Sequence, residues 1–214
     1  MKRKRSTGFA IWLTGRPAAG KTTLARQMRQ LLAEQGIHSV ILDSDELRTI
    51  LTPRPVYSEE ERNRFYEMLA LLAAWLVNNG VNVLVAATAH RRLYRQQART
   101  LIERFAEVYV ECPSELCRRR DPKGLYAQAA PNLPGAGVAY EPPLAAEAVI
   151  DTSQHRPAEA AVRVMQQVAG RLALFGGAKE GRIQDGVAEW MTSFSRHRCA
   201  APPDCRSKCR LRPE

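Results

Sequence analysis

Three observations predict an α/β fold with a doubly wound parallel sheet and helices on both faces. Short, nearly continuous apolar runs alternate with amphipathic helical patterns along most of the chain. The first apolar run ends in a glycine-rich loop that opens a helix. The runs end at Gly15, Asp43, Ala87 and Cys112. The carboxyl ends of parallel strands are where such sheets bind ligands.

The loop carries the most chemistry. Phe9 to Leu13 is apolar, and G-x-x-x-x-G-K-[ST] follows, filled by Gly15, Gly20, Lys21 and Thr22. This is a P-loop in its required setting, a buried strand, a tight turn and a helix N-terminus, and it makes the architecture P-loop NTPase and nucleotide-kinase-like. Gly15 and Gly20 let backbone approach a phosphate with no Cβ in the way. The loop's N–H groups and the helix dipole cradle the phosphate. Lys21 is expected to reach the β- and γ-oxygens of ATP, and the Thr22 hydroxyl to bind Mg2+. Arg16, Pro17, Ala18, Ala19 and Thr23 complete the ATP-binding stretch.

The remaining elements follow in order. A helix is expected from about residue 21 to 35, with Leu24, Met28, Leu31 and Leu32 on one face and Gly36 ending it. A buried strand over His38 to Leu42 stops at Asp43-Ser44-Asp45. Residues 46–51 read as a short helix, with Asp45 as the natural N-cap. Ser58 and Glu61 form a capping-box pattern for a long helix over about 59–78, with Leu69, Leu72, Trp75 and Leu76 as its apolar positions. Val81 to Ala87 is a central strand. A basic helix is expected over 90–104, a strand over 106–111 and a short helix over 114–119. Residues 121–146 are rich in Pro, Gly and Ala. A last strand covers 148–151, and a last helix 157–174, with Val162, Met165 and Val168 inward.

Length and charge set the bounds. The chain has 214 residues and a net charge of +10, which suits an anionic ligand. The basic excess is spread along the chain and concentrated at the two ends, with no nucleic-acid-binding motif. No run of about 18 apolar residues exists to span a membrane. Lys2 to Arg5 leads into an apolar stretch too short for a signal peptide, so a cytoplasmic protein is expected. Five cysteines do not make a secreted disulfide framework. Cys112 and Cys117 read as small buried residues. Cys199, Cys205 and Cys209 lack the paired spacing of a zinc site. Residues 1–7 read as a basic tail. Residues 8–176 form the kinase domain, with a lid over about 118–146, and 177–214 an appended, largely disordered tail.

Beyond the loop, Asp43 and Asp45 end a strand beside it, where two carboxylates can serve Mg2+ and orient or deprotonate an attacking hydroxyl. Lys21, Asp43 and Asp45 are the candidate catalytic residues, and Thr22 and Asp43 the candidate metal ligands. Arg48 and Arg62 sit where they can fork onto an anionic second substrate. In the basic cluster of Arg91, Arg92, Arg95 and Arg99, Arg92 is the one placed to point at the site, the others being expected in solvent. Arg118-Arg119-Arg120 leads into Asp121-Pro122-Lys123-Gly124, a basic glycine-bearing loop of the kind that closes over phosphates. Arg120 is placed to stack on adenine.

With these residues in view, the sequence resembles the adenylylsulfate kinase (APS kinase) family over roughly residues 8 to 170. The landmarks come in order: the P-loop, Leu42-Asp43-Ser44-Asp45 with Arg48, Tyr57-Ser58 with Arg62, Arg92, and Arg120-Asp121-Pro122-Lys123-Gly124-Leu125-Tyr126. Tyr140-Glu141-Pro142-Pro143 and Val149-Ile150-Asp151-Thr152 follow. The resemblance implies transfer of the ATP γ-phosphate to the 3′-hydroxyl of adenosine 5′-phosphosulfate, giving 3′-phosphoadenosine 5′-phosphosulfate in sulfate activation. It implies Asp45, Arg48, Arg62, Arg92 and Lys123 as substrate-binding positions, small-molecule nucleotide substrates, and a cytoplasmic homodimer. This chain departs from the family pattern on the acceptor side. Phe65, Glu67 and Met68 stand where the pattern has Asn and two Arg. Ala89-His90-Arg91-Arg92 stands in place of Ser-Pro-Tyr-Arg, so a serine sometimes assigned a phosphorylated form is Ala89. Two rival readings are kept: the same fold acting on another small alcohol (sugar acid, nucleoside or antibiotic), and a nucleotide-binding protein without turnover.

Overall fold

The computed structural model describes residues 7–121, 124 and 138–174. Expectations for the two tails, the tail cysteines, Lys123 and most of the 121–137 segment lie outside the described residues. The chain divides into two units, Met1–Leu174 and Phe175–Glu214, and every described residue belongs to the first.

Five parallel strands form one sheet in the order β2-β3-β1-β4-β5. They are β1 (Ala10–Thr14), β2 (Ser39–Asp43), β3 (Asn82–Ala86), β4 (Phe105–Glu111) and β5 (Ala148–Asp151). Between them run α1 (Lys21–Glu34), α2 (Ser44–Leu51), α3 (Glu59–Asn78), α4 (Arg92–Leu101), α5 (Ser114–Arg120) and α6 (Pro157–Val168). β1 is buried at every residue, because it is the middle strand and both its faces are covered. Side chains alternate across a strand. Ala10, Trp12, Val83 and Val85 therefore join Phe65, Leu69, Ala73 and Tyr94 in one core under α3 and α4. Ile11, Leu13 and Leu84 belong to the opposite face, and α1 and α6 pack together. β1 is also where the chain switches from one side of the sheet to the other, the place where such folds open a crevice.

Several expectations are corrected in detail. The side chain of Asp43, not Asp45, caps α2, accepting a hydrogen bond from the Asp45 N–H at 2.9 Å. α2 begins at Ser44, two residues earlier than expected, so the cap falls on Asp43, the last residue of β2. Ser58 caps α3 through the Glu61 N–H at 3.1 Å. The Glu61 carboxylate accepts from the N–H groups of Val56 and Tyr57, not Ser58. Trp75 is 63% exposed. The buried stripe of α3 runs instead through Phe65, Tyr66, Leu69, Ala73 and Val77. α4 is shorter than the expected 90–104, since Ile102 is already extended and leads into β4. α6 stops at Val168, with Val164 rather than Val162 fully inward.

Arg95 is the largest departure. It was expected in solvent, yet only 1% is exposed. Its Nε donates to Glu107 at 2.6 Å, and its terminal nitrogens donate to the carbonyls of Ala89 and Glu141. Arg99 extends the network to Glu147, which also accepts from the Glu107 N–H. A charge on the inner face of α4 is tolerated because each guanidinium nitrogen has an acceptor.

Candidate active site

The carboxyl ends of β1, β2 and β3, with α2, α3, α5 and the segment after β5, enclose a cavity of about 920 Å3. Its donor wall is the phosphate loop. Gly15 and Gly20 adopt positive φ of 154° and 97°, and a Cβ on Gly15 would lie 2.3 Å from the Val110 carbonyl oxygen. Only glycine fits that approach. Ala18 also takes a left-handed φ of 60°, strain of the kind stored at functional loops. Lys21 Nζ donates to the Gly15 and Arg16 carbonyls at 3.0 and 2.8 Å. The ammonium is thereby folded over the loop.

Thr22 Oγ1 donates to Asp43 Oδ2 at 2.6 Å, while Asp43 Oδ1 caps α2. Asp43 is thus 4% exposed and doubly committed. A hydroxyl and a carboxylate oxygen in contact beside a phosphate loop are hard oxygen donors, and that donor chemistry fits Mg2+. Thr152 clamps the far side of the loop. Its hydroxyl donates to the Ala19 carbonyl at 2.9 Å, and Arg120 donates to the Thr152 hydroxyl and carbonyl at 3.1 and 2.9 Å.

The acceptor wall is built from side chains far apart in sequence. Asp45, Arg48, Tyr57, Arg62, Tyr66, Thr88 and His90 line it. Arg48 pairs with Glu61 at 3.0 Å, and its guanidinium lies 3.9 Å over the Phe65 ring and 5.3 Å from Tyr57. Phe65, where the family pattern has Asn, therefore acts as a floor for the arginine. Arg62 is 8% exposed. Behind this wall, Thr14 Oγ1 donates to the Thr88 carbonyl and meets the Tyr140 hydroxyl at 3.0 Å. Burial pushes the Tyr140 hydroxyl up to about 12. Burial, then Cys112, likewise pushes the Cys117 thiol up to about 12. Both cysteines are free and buried, as expected from the sequence.

Of the residues singled out from sequence, Pro17, Ala18, Gly20, Lys21, Thr22, Thr23, Asp43, Asp45, Arg48, Arg62 and Arg120 line one cavity. Gly15, Arg16 and Ala19 shape the loop from behind. Arg92 is exposed at the start of α4 and is not part of the lining; its backbone N–H donates to Glu141. Glu67 and Met68 are also exposed outside the lining. The sequence marks none of Tyr66, Thr88, His90, Glu61 and Thr152 as a site residue, although Glu61 stands in the capping pattern, Thr152 closes the last landmark of the resemblance and His90 departs from a motif.

A parallel sheet with a phosphate loop, a threonine–aspartate pair and cations facing them across one cavity defines a P-loop phosphotransferase. Residues 7–151 match the family model for adenylylsulphate kinase. The chain belongs to the adenylylsulphate kinase family. It is 40% identical over 151 residues to a probable adenylyl-sulfate kinase of Archaeoglobus fulgidus, covering 69% of this chain and 97% of the relative. It is 40% identical over 164 residues to one of Pyrococcus abyssi, covering 75% and 94%. The solved Mycobacterium tuberculosis APS kinase in complex with AMPPNP and APS matches with TM-score 0.70 at 31% identity, over 76% of this chain and 98% of that one. Among the described residues, no helix is long and apolar enough to cross a membrane.

Proposed function

We propose that this protein transfers the γ-phosphate of ATP to the 3′-hydroxyl of adenosine 5′-phosphosulfate. The observation that carries the reading is the single cavity that joins the phosphate-loop lysine to two acceptor-wall arginines. The loop N–H groups and Lys21 hold the β- and γ-phosphates. Arg120, held against Thr152, covers the donor nucleotide. Thr22 and Asp43 would hold Mg2+, which when bound neutralises phosphate charge. Asp45, exposed at the start of α2 and lining the cavity, orients the 3′-hydroxyl and takes its proton. Arg48 and Arg62 receive the phosphosulfate. Catalysis is then mostly positioning and charge stabilisation. Lys123 and the rest of the basic loop complete the enclosure. A cytoplasmic homodimer is part of this reading, on the strength of family membership.

The test is turnover with a panel of acceptors, scored by the phosphorylated product. Adenosine 5′-phosphosulfate as the preferred acceptor supports the reading. Phe65 beneath Arg48 favours a second one, the same transfer to another small alcohol. Turnover of a sugar acid or nucleoside with none of adenosine 5′-phosphosulfate would select it. ATP binding without turnover of any acceptor would leave a nucleotide-binding protein.

A further inference from the structure

His90 stands in the acceptor wall, and the mechanism above does not use it. Only 3% of its surface is exposed, yet it lines the cavity. Its Nδ1 is sealed from solvent with no hydrogen-bond partner among the described residues. The ring sits edge-on against the stacked pair of Tyr66 and Tyr94, with centroids 6.3 and 5.5 Å away. The backbone on both sides is pinned. Arg95 donates to the Ala89 carbonyl, and the Glu141 N–H donates to the His90 carbonyl at 2.8 Å. Ala89 takes a left-handed φ of 39°, a conformation that costs energy for a residue with a Cβ. With Nδ1 sealed, Nε2 is the ring nitrogen that a ligand in the cavity can meet.

The surroundings select its protonation state. Burial, then the cations Arg62 and Arg91, push its pKa down to about 4. Arg95 acts in the same direction and Glu141 against it. The ring is therefore neutral near pH 7 and carries one proton. A buried nitrogen without a partner is cheaper as a lone pair than as an orphaned N–H. The proton therefore belongs on Nε2, the nitrogen left to face the cavity.

We propose that His90 is a specificity-determining residue of the acceptor site, its Nε2–H donating a hydrogen bond to an oxygen of the anionic group that Arg62 draws in. The proposal rests on the kinase reading with adenosine 5′-phosphosulfate as acceptor. The contact supplies a neutral, directional donor beside the charged guanidinium groups of Arg48 and Arg62.

The experiment compares wild type with His90→Phe, which keeps a flat ring and removes both nitrogens, and His90→Gln, whose amide restores a donor near the Nε2 position. KM is measured separately for adenosine 5′-phosphosulfate and ATP. Calorimetric binding of adenosine 5′-phosphosulfate, with a non-hydrolysable ATP analogue present, gives a readout independent of turnover. His90→Phe should raise KM and Kd for adenosine 5′-phosphosulfate about tenfold or more. The ATP KM should stay unchanged, and His90→Gln should recover most of the loss. If His90→Phe fails to fold, His90→Asn replaces it. Its shorter amide leaves the Nε2 position empty and should show the same loss. Wild-type affinity in these variants, with the wild type active on adenosine 5′-phosphosulfate, overturns the role of His90 and leaves the kinase reading standing. Equal losses for both substrates also overturn it, since they mark a structural role. A wild type that neither binds nor phosphorylates adenosine 5′-phosphosulfate overturns the acceptor assignment and this proposal with it.

Discussion

On the donor wall, Lys21 bonds to carbonyls five and six residues earlier in the chain. On the acceptor wall, Arg48 reaches 13 residues along the chain to Glu61 and lies over Phe65. The donor wall is backbone geometry set by a local motif, and its side chains have little freedom to be anything else. The acceptor wall is a set of side chains placed by α2, α3 and the segment after β3, with charge held in check by carboxylates and rings. Such a wall can change its ligand by changing one residue, while the loop beside it goes on holding phosphate. Of the departures from the family pattern, Phe65 lies under Arg48 and Ala89 precedes His90, whereas Glu67 and Met68 are exposed outside the cavity lining.

The largest effect is expected where the acceptor wall is anchored. Arg95→Ala leaves Glu107, 8% exposed, without its nearest cation, and strips donors from the Ala89 and Glu141 carbonyls. Breaking a buried pair from one side costs roughly 3–5 kcal/mol, which denaturant unfolding will read. A loss below about 1 kcal/mol, the range of a surface pair, would show that the network is not what holds this wall.

Lys21→Ala attacks the donor wall alone. It should lower kcat by about 10²–10³-fold, the scale of removing one preorganised electrostatic contact. Circular dichroism and the melting temperature should stay close to wild type, because the side chain is only half-buried and serves the loop. Near-normal turnover in a folded variant would remove the phosphate-loop assignment.

Arg62→Ala sharpens the contrast between the walls. A charged hydrogen bond is worth roughly 1.5–3 kcal/mol, or about ten- to a hundred-fold in affinity. We expect at least a tenfold rise in KM for adenosine 5′-phosphosulfate, with the ATP KM little changed. Parallel rises in both would make Arg62 a structural residue shared by the two walls.

The last prediction is read in pH. The His90 imidazole takes a proton near 6.5 when exposed but only near 4 in the fold. Across that interval the unfolded chain binds the proton more readily, so stability falls as pH drops from about 6.5 to about 4 and this contribution levels off below. His90→Phe should flatten that part of the stability curve. An unchanged slope would mean that His90 titrates alike in both states.

Residues close together in the chain set the phosphate loop and the frame that carries it. The strand into Gly15, the helix out of Lys21, the strand end at Asp43 and the cap at Ser58 each depend on residues a few positions apart. Local sterics and hydrogen bonding settle such features before distant elements meet. Even here, α2 begins two residues earlier than expected, which hands its cap from Asp45 to Asp43. Tertiary structure decided the rest. Trp75 and Phe65 are both aromatic residues of α3, and only the packing of that helix says which is 63% exposed and which is buried. In the basic run Arg92 is expected at the site and Arg95 in solvent, yet Arg95 is sealed against Glu107 and Arg92 faces solvent. Whether an arginine, a histidine or a tyrosine meets a carboxylate, a ring or a cavity depends on which elements become neighbours. That is fixed by burial summed over the whole core, which no single stretch of the chain contains.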